Sequence, residues 1–212
     1  TVKNTYGTTL TAISGEQEVE PNENVKFSMS INNTEGNTPD SITISYTANG
    51  IDNWDVNPQP STMTLGVDVT GFFNLSVTPD IEATAGLKSI TILATSEDGE
   101  TVSSTSVTVK VKQLPALQVD KIDTSSKDVE AGKRVYYSFS VTNKGNAVDT
   151  FSLAVDLSSL PEGWDASLDQ DTISNLGVDE KINLTDVLVV KAPIDAPAES
   201  ETSIVVTISS DY

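Results

Sequence analysis

The chain has 212 residues, 37% of them apolar, a formal net charge of −19, and neither cysteine nor histidine. That size and apolar content suit one or two domains with an ordinary core, and no apolar run approaches the length of a membrane-spanning helix. The missing residue types exclude a disulfide framework, histidine-based triads and the commonest transition-metal ligand, while the acidity, with Arg134 as the single arginine, disfavours nucleic acid and anionic membrane as partners.

The first ten residues, TVKNTYGTTL, are echoed further along: Thr1, Val2, Lys3 and Leu10 recur at Thr108, Val109, Lys110 and Leu117. Period-two alternation then dominates, as an antiparallel sheet with one buried face requires. VKFSMSI places Val25, Phe27, Met29 and Ile31 on one face, and SITISYT does the same with Ile42, Ile44 and Tyr46. NWDV follows with Trp54, then FNLSVTP, then SITILAT, a turn at Asp98-Gly99 and a last strand ending near Lys112. KQLPALQ, around Pro115, reads as a short proline-stiffened linker.

Beyond the linker the pattern begins again. EVEPNENVKFSMSINN matches DVEAGKRVYYSFSVTN, pairing Val19 with Val129, Phe27 with Tyr137 and Asn33 with Asn143. VYYSFSV alternates Val135, Tyr137, Phe139 and Val141; DTFSLAVDL alternates Phe151, Leu153, Val155 and Leu157; GWDA sets Trp164 opposite Trp54. INLTDVLVVKAP answers FNLSVTP with a short insertion, and SIVVTIS answers SITILAT. A period of about 110 residues with roughly seven strands per copy has the size and rhythm of an immunoglobulin-like sandwich. The expected fold class is therefore all-β: two tandem immunoglobulin-like β-sandwich domains at 15–113 and 114–212, after an N-terminal pairing segment at 1–14.

The second copy stops at SIVVTISSDY, without the turn and final strand that close the first, so it lacks its final strand in cis. An incompletely covered core beside an unpaired edge is a template for β-augmentation. The acceptor is expected along Ile204, Val206 and Ile208, and the donor in Thr1 to Leu10, with Val2, Tyr6 and Leu10 as its apolar contributors. Donor and acceptor at opposite ends make the contact head-to-tail and the partner a second copy of the chain. Preceding and following modules of a longer covalent array would provide the same strands.

TNKGNAVDTFSLAVDLSSLPEGWDASL and LVVKAPIDAPAESETSIVVTI, with Asn143, Gly145, Asn146, Trp164, Pro193 and Pro197, resemble the immunoglobulin-like modules found beside extracellular alpha-galactosidases and in archaeal and bacterial surface proteins. The resemblance covers about Leu117 to Tyr212; the first half lacks the LPEGW form. It implies an extracellular spacer or surface repeat rather than a catalyst, and brings no functional residue with it.

Other sites are weighed beside plainer readings. Acids are plentiful enough for paired-carboxylate glycoside hydrolysis, but they fall in turns and on outward strand positions, and no enzyme activity is expected. Calcium is the one inorganic candidate, at Asp98 and Glu100 of EDGE and at Asp169 and Asp171 of LDQD, against a plain role in turns. No cofactor is otherwise expected. Sequons stand at Asn32, Asn74 and Asn183, the last two at equivalent repeat positions, so glycans are possible partners. Trp54 and Trp164 are core plugs or, alternatively, sugar-stacking platforms. The sequence thus points to an extracellular structural protein, the repeating subunit of a surface filament joined by strand complementation. The alternative is a spacer of a larger surface protein or glycosidase, with or without carbohydrate binding.

Overall fold

The structure, a computed structural model, describes all 212 residues, and every regular element is a strand. The chain divides into two compact units, Thr1–Gln113 and Leu114–Tyr212. No helix is long and apolar enough to cross a membrane.

Unit 1 contains nine strands in two sheets. The first sheet holds β1 (Thr9–Ala12), β3 (Val25–Asn32), β7 (Thr70–Thr78) and β5 (Asp55–Gln59), in the order β1-β3-β7-β5. The second holds β2 (Gln17–Val19), β9 (Val102–Val111), β8 (Gly86–Thr95), β4 (Asp40–Ala48) and β6 (Thr62–Leu65), in the order β2-β9-β8-β4-β6. Alternation turns one face of each sheet inward. Phe27, Met29 and Ile31 of β3 and Leu75 and Val77 of β7 meet Ile42 and Ile44 of β4, Ile90, Ile92 and Ala94 of β8, and Val107, Val109 and Val111 of β9 in one buried core.

Unit 2 repeats the first sheet as β10 (Leu117–Lys121), β11 (Arg134–Asn143), β15 (Lys181–Lys191) and β13 (Asp165–Leu168), in the order β10-β11-β15-β13. Its second sheet has only β14 (Thr172–Leu176), β12 (Asp149–Asp156) and β16 (Val205–Ser210), in the order β14-β12-β16. The register is the same in both units: Ile44 pairs with Ala94 and Tyr46 with Ile92, as Leu153 pairs with Ile208 and Val155 with Val206. Thus β12, β14 and β16 correspond to β4, β6 and β8, and nothing in unit 2 corresponds to β9 or β2.

Polar corners repeat as well. Asn33 and Asn143 are fully buried. Asn33 Nδ2 donates to the carbonyls of Thr38 (3.0 Å), Leu65 and Gly66 (both 3.3 Å), and Asn143 Nδ2 to those of Ala147 (2.8 Å) and Leu176 (2.9 Å). Each holds the loop after its β-strand to the opposite sheet, where no water can take its place. The turns before the tryptophans also match: Trp54 N donates to Ile51 O and Trp164 N to Pro161 O, with Asn53 (φ 63) and Gly163 (φ 83) in the left-handed position. Asparagine tolerates that conformation as glycine does, so the two turns share a shape without sharing the LPEGW sequence.

Candidate functional site: a groove in unit 2

The difference between the units concentrates on one sheet edge. In unit 1, β9 pairs with β8 from Gly86↔Val111 to Thr95↔Val102 and, on its other side, runs parallel to β2 with Val19 opposite Val111. Its Val107, Val109 and Val111 are 2%, 0% and 1% exposed, a burial worth roughly 1.5–3 kcal/mol per side chain. In unit 2, β16 has β12 on one side and no strand on the other. Ile204, Val206 and Ile208, counterparts of the fully buried Ile90, Ile92 and Ala94, are only half-buried.

Between the Thr124–Ala131 segment and residues 196–204, which lead into β16, lies a groove of about 1170 Å³; Val129, Tyr137, Trp164, Leu188, Val190 and Ile204 line it together with polar residues such as Asp123, Ser126 and Glu199, and Val206 and Ile208 do not reach it. Val129 and Ile204 on its walls correspond to Val19 and Ile90, which flank β9 in unit 1. Val129 is half-buried where its counterpart Val19 is buried, and the segment around it is not a strand, because β2 in unit 1 exists only through its pairing with β9. Residues 201–204, counterparts of residues 87–90 in β8, likewise fall outside a strand. The core of unit 2 consequently divides into two clusters, one around Phe139, Phe151 and Leu184 and a smaller one around Ala166, Leu188 and Val190 against which Trp164 and Ile204 pack.

Lys127 lies at the groove wall. Its Nζ donates to Asp123 Oδ2 (2.9 Å) and to the Tyr136 carbonyl, and stands 5.1 Å from the centroid of the Tyr137 ring. The Lys127 ammonium, and then the backbone N–H of Ser138, hold the Asp123 carboxyl below its usual pKa. Of the acceptor residues expected from the sequence, Ile204 lines this groove while Val206 and Ile208 do not; Val129, Lys127 and Trp164, its other wall and floor, were not expected. The pairing of Val19 with Val129 carried the signal, but only once Val19 was known to border the final strand.

The N-terminal residues depart from the expected donor in one respect. Leu10 is 5% exposed, lies in β1 opposite Ile31 and belongs to the core of unit 1, so it is not available to another molecule. Val2 is 86% exposed, and Tyr6 is half-buried with its hydroxyl donating to Glu97 Oε1 at 2.8 Å. Thr5 N donates to Asn37 Oδ1 (2.9 Å) and Asn37 N to Thr5 O (3.0 Å). The same reciprocal pair joins Leu114 and Asn146, at 2.7 and 3.3 Å. Thr5 is therefore the counterpart of Leu114, and Val2 of Val111. The sequence echo, which set Val2 against Val109, is two residues out of the structural alignment; the two-residue step keeps every side chain on the same face.

The remaining candidates resolve individually. Asp98 is a turn residue: its Oδ1 accepts the N–H groups of Glu100 and Thr101, and its Oδ2 the Thr101 hydroxyl. Asp171 Oδ1 accepts the Thr172 hydroxyl, and Asp169 is joined through its N–H to Val187 O. Asp98, Glu100, Asp169 and Asp171 belong to no group of three or more acidic side chains. Asn32 is half-buried with Nδ2 bonded to Thr70 Oγ1 at 2.7 Å, whereas Asn74 and Asn183 are exposed on β7 and β15. Those two are not equivalent: Asn74 faces Ser28 and Asn183 faces Ser140, because an irregularity in β15 beside Ser138 absorbs the insertion and shifts the register. Trp54, at 9% exposure, is a core residue of unit 1, while Trp164 is half-buried on the groove.

No protein-family model matches the chain, and no curated protein matches it. Among solved structures, it is similar to domains 4 and 5 of the S-layer protein SbsC, at 17% identity and a TM-score of 0.35, over 51% of this chain and 53% of that one. It is also similar to the CupB2 chaperone of Pseudomonas aeruginosa (10% identity, TM-score 0.35, 84% of this chain and 90% of that one) and to the secreted serine protease VesC of Vibrio cholerae (9% identity, TM-score 0.36, 96% and 51%). The chain thus spans about half the length of the S-layer fragment and of the protease.

Proposed function

We propose that the protein is an extracellular structural protein, the repeating subunit of a cell-surface filament in which the groove of unit 2 takes a β-strand from the next molecule, head-to-tail. The observation that carries this reading is the contrast at one edge: β8 is covered by β9, and its counterpart β16 has no strand on that side, where a groove lined by Val129, Trp164 and Ile204 among others lies next to its start. Thr1 to Tyr6 is the donor. With Val2 aligned on Val111, its Thr1–Lys3 portion takes the places of Lys110–Lys112, while Thr5 and Tyr6 remain bonded to Asn37 and Glu97. The acidic surface and the absence of cysteine suit a soluble surface element rather than a catalyst. A second reading, the same units joined covalently as spacer repeats of the alpha-galactosidase-associated type, is favoured by the Thr5–Asn37 pair, which repeats within unit 1 the Leu114–Asn146 pair of unit 2.

Light scattering on the intact chain and on one lacking Thr1–Tyr6 separates the two. Long polymers from the intact chain and monomers from the truncated one are expected. Monomers from both would overturn the filament and leave the spacer reading.

A further inference from the structure

Resting on the reading of unit 2 as a strand acceptor, we infer that its groove is selective for one strand chemistry and one register. The strand carries valine or a similar β-branched residue at three alternate positions and lysine at the two outward positions flanking the last of them, as Val107 to Lys112 does in this chain; of the donor Thr1–Tyr6, Val2 and Lys3 supply the last valine and the last lysine of that pattern. It enters antiparallel to β16 and parallel to Lys127–Val129.

Unit 1 displays the occupied state. There Val107, Val109 and Val111 point into the core, while Lys110 and Lys112 point outward and pair with Glu18 (2.7 Å) and Glu20 (3.3 Å) on the β2 side. The repeat places Asp128 and Glu130 where Glu18 and Glu20 stand. Both are exposed, with no lysine against them. This edge therefore presents two carboxylates at the spacing of alternate residues, Asp128 on the groove and Glu130 next to it, beside Val129, Tyr137, Trp164, Leu188 and Val190. Charge complementarity and the pleat select the same register, and a two-residue slip would keep the apolar face while leaving one carboxylate unpaired. On entry, Lys127 takes the place of Gln17, which pairs with Val109 in β2, so its ammonium leaves the Tyr137 ring. Residues 201–204 become strand, as residues 87–90 are.

The test uses the monomeric fraction of the full chain and a synthetic peptide, VSSTSVTVKVK, copied from Val102–Lys112. In unit 1 the Thr91 and Ser106 hydroxyls lie 3.1 Å apart; Thr91 corresponds to the outward-facing Val205. A Val205→Cys chain, otherwise free of cysteine, is offered peptides with cysteine in place of Ser106, Ser104 or Thr108. Disulfide formation is expected at least tenfold faster with the first than with the other two. Trp164 emission should shift to shorter wavelength on binding, with Trp54 as a constant background. Asp128→Lys with Glu130→Lys should weaken binding about five- to tenfold, and a peptide with glutamate at both lysine positions should restore it. Equal crosslinking at all three positions, or indifference to the charge reversal, would overturn the register and the charge selection while leaving strand acceptance in place. No crosslink and no Trp164 shift with any peptide would overturn both.

Discussion

Units 1 and 2 share sheet order, register, buried asparagine corner and tryptophan turn, and differ by one covered edge. That difference shows how much of a sandwich core a single strand secures. Without a counterpart of β9, the β2-like segment has nothing to pair with, the first part of the β8-like strand is not strand, and three inward side chains that are fully buried in unit 1 become half-buried in unit 2. The loss spreads sideways because β9 is the only link between β8 and β2. An edge strand left in this state exposes both backbone donors and apolar surface, which is why such edges attract another strand.

The sharpest way to break the comparison is to truncate equivalent residues. Ile92→Ala should cost about 3–4 kcal/mol, a cavity in a closed core, and Val206→Ala about 1 kcal/mol, since half of that side chain already faces water. Urea unfolding monitored separately for the two units measures both. Costs of equal size would mean that the β16 edge is covered in solution. The asparagine corners should behave alike instead: Asn33→Ala and Asn143→Ala are each expected to cost about 2–3 kcal/mol, because each leaves buried carbonyls without a donor. A marked inequality there would show that the units differ by more than the missing strand.

Amide exchange sharpens the contrast further. The N–H groups of β16 should exchange at least tenfold faster than those of β8, and the gap should close when the VSSTSVTVKVK peptide is bound. The smallest effect is with pH. Carboxyls held below their usual pKa include Asp120 (by Gln118, then Lys181), Asp123 (by Lys127) and Asp156 (by Ser158) in unit 2, and Glu18 (by Lys110) and Asp98 (by the Thr101 amide) in unit 1. A depressed folded-state pKa contributes stability that is present above the unfolded value of about 4 and is lost as pH falls through the folded one. Both units should therefore soften on acidification below pH 4, unit 2 somewhat more. Asp123→Asn should remove part of that extra sensitivity, read as a smaller shift in the unit 2 melting temperature.

Much of this molecule was legible in its sequence. Alternation depends only on neighbours two residues apart, so the inward faces of β3, β4, β8, β11 and β12 follow from VKFSMSI, SITISYT, SITILAT, VYYSFSV and DTFSLAV without knowledge of partners. The repeat likewise paired Asn33 with Asn143, Trp54 with Trp164, and SITILAT with SIVVTIS, the segments of β8 and β16. What the sequence could not determine is what lies across each strand. Leu10 resembles a donor residue by spacing and is a core residue by pairing; the opening echo aligns Val2 with Val109 by identity, while two hydrogen bonds align it with Val111; Asn74 and Asn183 match by composition and are displaced by an irregularity in β15. Only the tertiary structure decided these, because strand pairing is a long-range choice and a shift of two residues leaves the local pattern unchanged. The second wall of the groove, Val129 with Asp128 and with Glu130 next to it, is likewise defined by the strand that runs beside its counterpart in unit 1.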